Sequence, residues 1–149
     1  MSRRPAVAVV LIAAAAVAAV PAHAAAKKPK PITVTYQLTL LPDPTPNATN
    51  DSCGVLAASQ DKHPVTVPAK GTLHVVLDSP NPVPDSPAGG LDWDLYVVDS
   101  DDAPVDSSTG ATAHEETTTK FKKKQAVKIW VCNLAGETSG TVTYTFTYA

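Results

Sequence analysis

Apolar and polar residues alternate along most of this chain with a period of two, and no segment sustains a helical period. Ile32, Val34, Tyr36, Leu38 and Leu40 share one side of an extended segment, and Thr33, Thr35, Gln37 and Thr39 share the other. That pattern predicts a strand over 32–41. Two short strands follow at 63–68 and 72–78, joined through Ala69, Lys70 and Gly71. Leu91, Trp93, Leu95 and Val97 then alternate with Asp92, Asp94 and Tyr96, which predicts a strand over 91–99 with one buried face. Further strands are expected near 112–121, at 126–133 and at 141–148. The last sets Val142, Tyr144, Phe146 and Tyr148 against threonines.

The connections carry turn chemistry. Residues 42–52 hold prolines beside Asp and Asn, and residues 78–90 hold four prolines and two glycines with no apolar period, so both belong on the surface. A turn is expected around 100–104. Seven or eight short strands with no internal repeat predict an all-β fold, an antiparallel β-sandwich of jelly-roll type.

The first 24 residues change the picture of where this domain works. Arg3 and Arg4 precede an apolar run from Ala6 to Val20, and Ala22-His23-Ala24 forms a small-x-small cleavage pattern. The run is too short and too alanine-rich to span ~30 Å of hydrocarbon. We read residues 1–24 as a signal peptide cleaved near Ala24, which implies a secreted protein with no stable membrane anchor. Ser2-Arg3-Arg4 resembles the start of a twin-arginine signal, but Pro5, Ala6 and Val7 do not complete it, so the export route stays open. Residues 25–31 form a basic, proline-bearing tether, and 32–149 form the domain. The chain as a whole carries a formal charge of −2, and the exported part is more acidic because both arginines leave with the signal. Nucleic acid is a poor partner for an acidic domain without arginine. Cys53 and Cys132 are the two cysteines, and in an exported chain they read as one disulfide. Asn47 and Asn50 begin glycosylation acceptor patterns. The alanine-rich signal looks bacterial, so no modification is expected there.

Candidate chemistry gathers in a few places. Asp92, Asp94, Asp99, Asp101, Asp102, Glu115 and Glu116 form the richest set of oxygen ligands, and calcium takes six to eight oxygens at ~2.3–2.6 Å. The competing reading makes Asp99 and Asp101 turn residues bonded to their own backbone. Nothing matches the EF-hand loop pattern. Lys120, Lys122, Lys123 and Lys124 form a basic run that suits an anionic polymer or the blunting of a sheet edge. Trp130 shares a strand face with Lys128 and Cys132, where it packs on the disulfide or offers a ring for sugar stacking. His63, His74 and His114 lie on separate segments without zinc-ligand spacing. No nucleophile motif and no phosphate-cradling glycine loop occurs, so no enzyme is expected.

Several of these residues also carry a family resemblance. Asp92-Trp93-Asp94-Leu95-Tyr96-Val97-Val98-Asp99, the acidic turn, Ser107-Ser108, His114-Glu115-Glu116, and Val127 to Asn133 followed by Gly140-Thr141-Val142-Thr143-Tyr144-Thr145-Phe146 resemble the bacterial pre-peptidase C-terminal domain. That family's order is a D-x-D-L-Y strand, a D-x-D-G turn, an S-S return, a glutamate, an apolar strand with Asn-x-x-G, and a closing Y-T strand. Asp101-Asp102 stands where the family tends to have Asp-Gly, and no peptidase domain precedes the segment, so a free-standing version is expected. The resemblance implies a non-catalytic β-sandwich in a secreted protein, with relatives that bind calcium, collagen or polysaccharide. Taken together, the sequence leads us to expect a secreted accessory module that recognises an extracellular polymer or protein, with calcium stiffening the acidic turn. The alternative is a structural or inhibitory protein acting on a secreted partner such as a peptidase, through the proline loop at 78–90.

Overall fold

The computed structural model describes residues 27–45, 53–80 and 92–149. The leader, both acceptor asparagines, Leu91 and most of the proline loop lie outside them. The described residues form eight strands: β1 (Ile32–Thr39), β2 (Gln60–Val67), β3 (Gly71–Asp78), β4 (Asp92–Val98), β5 (Pro104–Ser108), β6 (His114–Phe121), β7 (Gln125–Ala135) and β8 (Ser139–Tyr148). They pair antiparallel in two four-stranded sheets, β1-β8-β3-β6 and β2-β7-β4-β5. This interleaving of early and late strands is the order of a jelly roll, as the alternation predicted.

Seven strands fall where the pattern placed them, although β2 starts at Gln60 rather than His63 and β7 runs on to Ala135. The eighth, β5, occupies Pro104-Val105-Asp106-Ser107-Ser108, where a turn and a polar return had been expected. It has no apolar alternation to betray it. Its proline sits at the first strand position on a sheet edge, where the missing N–H breaks no ladder.

Between the sheets, inward residues such as Leu73, Val75, Leu77, Trp93, Leu95 and Ile129 are fully buried. Burying each such side chain is worth about 1.5–3 kcal/mol against solvent. Gly140 shows how tightly the layers close, because a Cβ there would lie 2.9 Å from the Trp93 ring.

One expectation about β4 needs correcting. Its second face was read as solvent-facing, yet every residue from Trp93 to Val98 is buried. The segment that follows the first loop folds back over the outside of this sheet. Cys53 bonds Cys132 there, and Cys53, Tyr96, Val98, Trp130 and Cys132 form a second apolar cluster. Two polar ties, from Asp43 and from Leu41, hold this flap. Asp43 accepts hydrogen bonds from the backbone N–H of Leu56 at 2.6 Å and of Thr45 at 3.0 Å, and Leu41 N–H donates to the Ala58 carbonyl at 2.9 Å. The Leu56 N–H is the main cause holding the Asp43 carboxyl below its usual range.

Candidate functional site

The seven acids proposed as oxygen ligands do not form one site. Asp99, Asp101 and Asp102 lie in the β4–β5 turn, past the end of β4 opposite to Asp92. Asp99 Oδ1 accepts from the N–H groups of Asp101 at 2.9 Å and Ala103 at 3.0 Å, which is the turn-building role. Asp102 adopts φ 64°, the left-handed conformation that glycine takes without penalty, at the position where the resembling family tends to have glycine. Two ion pairs hold it there, to Lys62 at 2.9 Å and Lys128 at 2.6 Å, and both lysines push its carboxyl below the ordinary range.

Glu115 is buried in a different role. Its carboxylate accepts from Ser108 Oγ, from Gly110 N–H at 3.2 Å and from Thr112 Oγ1 at 2.7 Å, pinning the β5–β6 return. Glu116 points the other way, to the outer face of the first sheet. There it pairs with His74 at 2.7 Å and His114 at 3.7 Å, while His114 also meets Asp78 at 2.6 Å. Hydrogen bonding to Asp78 is the main cause raising the His114 pKa. This His–carboxylate chain joins residues that looked unrelated in sequence.

Asp92 and Asp94 remain on β4. Asp94 is 6% exposed and accepts a 3.0 Å hydrogen bond from Tyr96 Oη. Burial pushes its carboxyl up to about 6 against the opposing Tyr96 bond, with the charges of Asp92 and Glu115 adding to the rise. Asp92 is raised too, by burial first and Glu115 second. Among the described residues, no group of three or more His, Cys, Asp or Glu side chains is arranged to hold a metal ion.

Trp130 is 2% exposed. Its ring packs at 5.8 Å from Tyr96, the Lys62 ammonium sits 4.0 Å from its centroid, and its Nε1 donates to Gln60 Oε1 at 3.1 Å. The packing reading therefore holds. A stacking platform for sugar is corrected, because both the flap and Lys62 occupy the space a ligand ring would need.

The lysine run gives a different result. Lys120 and Lys122, at the end of β6, line a concave cleft of about 290 Å³ with Gly71, Thr72, Phe121, Ala149 and Lys70. Lys70 comes from the β2–β3 turn, and the β3–β6 register brings it in by setting Gly71 opposite Phe121. The sequence reading did not group Lys70 with the run, because only the register reveals that pairing. Lys123 and Lys124 occupy the exposed turn beside the cleft and do not line it. Ala149 N–H donates to the Lys70 carbonyl at 3.2 Å, tying the end of β8 to the cleft rim.

Comparison with known proteins finds similarity among solved structures. The chain is similar to a pre-peptidase C-terminal domain. That domain belongs to a collagenase from Bacillus anthracis, and the match has TM-score 0.43 and 11% identity over 78% of this chain and 88% of that one. No protein-family model matches the chain, and no curated protein matches it. The residues that carry the sequence resemblance serve the fold in this chain: the Asp99 turn, the Ser108–Glu115 tie, and Asn133, whose Nδ2 donates to the Leu40 and Glu137 carbonyls at 2.8 and 2.9 Å. The disulfide places the domain in an oxidising compartment.

Proposed function

We propose that this chain is a secreted, non-catalytic accessory module that holds an anionic extracellular polymer at its lysine-lined end. The observation that carries the reading is the convergence of Lys70, Lys120 and Lys122 on one cleft. Among the described residues none of these three has an ion-pair partner, whereas Lys62 and Lys128 are both spent on Asp102. Unpaired ammonium groups around a concavity attract phosphate or carboxylate groups, with a reach of about 10 Å at 0.1 M salt. The walls of the cleft are lysine stems and Phe121, which suits a polymer backbone lying against them. Secretion rests on the leader read from the sequence and agrees with the disulfide.

The test is retention on immobilised polyglycerol phosphate and polygalacturonate, with neutral dextran as the control. Each exposed charge contact is worth on the order of 0.5–1 kcal/mol. Lys70→Gln, Lys120→Gln and Lys122→Gln together should therefore weaken binding about ten- to hundredfold at low salt. Retention that survives all three changes, or that salt does not weaken, would refute the reading.

A calcium contribution, suggested in sequence by Asp92, Asp94 and the acidic turn, is read by melting the protein in calcium and in chelator. A higher melting temperature in calcium would put an ion among these acids. Equal melts would leave them wholly to the turn and ion-pair contacts described above.

A further inference from the structure

We propose, resting on the cleft as a polyanion site, that the lysine end takes a polyol phosphate chain. Such a chain joins phosphodiesters through short aliphatic units, and here it would run from the cleft across the end of β8 to the lysines of the tether.

Strand register brings the tether to the cleft. Gly71 pairs with Phe121 on one side and with Tyr148 on the other, so the start of β3 and the ends of β6 and β8 stand together. Ile32 pairs with Phe146, which sets the start of β1 at the same end. The exposed Lys27, Lys28 and Lys30 therefore lead into the sheet two strand spacings, about 10 Å, from β3. Lys123 and Lys124 occupy the turn after β6, on the far side of the cleft. Among the described residues only Lys62 and Lys128 have ion-pair partners, and every other lysine stands at this end.

The acids lie elsewhere or are engaged. In the β4–β5 turn of the second sheet, Asp99 bonds backbone N–H groups and Asp102 pairs with Lys62 and Lys128. No acid precedes Lys27 in the sequence. The described residues flanking 46–52 and 81–91 belong to the opposite end of the sandwich. There Asp43 N–H bonds the Asn133 carbonyl, Cys53 bonds Cys132, Ser79 N–H bonds the Ala113 carbonyl, and Asp92 pairs with Ala135.

The lining selects among polyanions. Every cation at this end is lysine, a compact point charge that attracts a phosphodiester from any side. The planar carboxylate of a uronate is matched best by the arginine fork, and the domain has no arginine. Phe121 is 5% exposed, so the cleft has no open ring on which a sugar or a base could stack. Besides the lysines, Thr72 is the only lining side chain that can hydrogen-bond. Sugar hydroxyls enclosed there would lose water without gaining partners. Methylene units and ester oxygens ask for little of this, and they suit lysine stems. The cleft is also concave, so a chain can enter it where a flat lipid surface cannot.

The exported chain, from residue 25, is titrated with polyglycerol phosphate, polygalacturonate and single-stranded DNA at matched charge number, and with phosphatidylglycerol vesicles. Polyglycerol phosphate should bind about tenfold more tightly than polygalacturonate, the worth of one or two enclosed hydroxyls left unpaired. Lys27→Gln, Lys28→Gln and Lys30→Gln together should weaken it about three- to tenfold and flatten its salt dependence, with an unchanged melting curve. Equal or tighter binding of polygalacturonate, DNA or vesicles would overturn the polyol phosphate assignment while leaving the cleft lysines a polyanion site. A tether variant that binds like the parent would overturn the track. Binding of none of the four probes would remove the polyanion site itself, and this inference with it.

Discussion

Replacing Cys53 and Cys132 together by serine is expected to cost about 4–5 kcal/mol of folding stability. The two residues lie 79 positions apart, and a loop of that length loses this much closure entropy in the unfolded chain when it is cross-linked. Their Cα atoms are 5.3 Å apart, within the ordinary span of the bond. The cost is large against the 5–15 kcal/mol that a domain usually has. The bridge also has a local role, because it is the covalent tie of the flap that covers Tyr96, Val98 and Trp130. In the double variant the flap should loosen before the sandwich unfolds. Trp130 fluorescence should then shift at lower urea than the far-ultraviolet signal of the sheets. Coincident transitions with a loss under about 1 kcal/mol would show that Asp43 and the Leu41–Ala58 bond hold the flap without the bridge.

This flap also marks where sequence reading reached its limit. β1, β3 and β8 bury one face against the opposite sheet, so their alternation announces them directly. β4 carries the same alternation, but Tyr96 and Val98 face a segment far earlier in the chain. No local pattern encodes what will lie on top of a strand. β5 gave no signal because an edge strand of proline, aspartate and serines buries little and needs no apolar period. The site divides in the same way. Lys120 and Lys122 were visible as a run, while Lys70 joins them through a register of strand pairing that spans the fold. The acids that looked like one cluster were adjacent in sequence for different reasons. Asp99 builds a turn, Asp102 stands in a glycine-like conformation between two lysines, and Glu115 locks a return.

Asp94 carries the second large expectation, because its burial sets a cost that pH controls. Its carboxyl titrates near 6 in the folded protein against an ordinary value of 3.8, so the folded state holds the proton more tightly than the unfolded chain. The stability that Asp94 contributes in its protonated form is therefore present below about pH 4, is lost as pH rises through 6, and stays lost above it. An amide at this position keeps an acceptor for the Tyr96 hydroxyl and never ionises. Asp94→Asn should therefore be more stable than the parent by about 1–3 kcal/mol at pH 8. The gap should close on acidification and vanish near pH 4. Asp92, raised in the same direction by burial, adds to the slope in the parent. Asp43, Asp102 and Glu116, all lowered by their partners, act oppositely, and they cancel when the variant is compared with the parent at each pH. Chemical denaturation at several pH values reads the gap directly. A difference that does not change between pH 4 and 8 would mean that Asp94 ionises alike in both states, and that Tyr96 and the flap leave its carboxylate in effective contact with water.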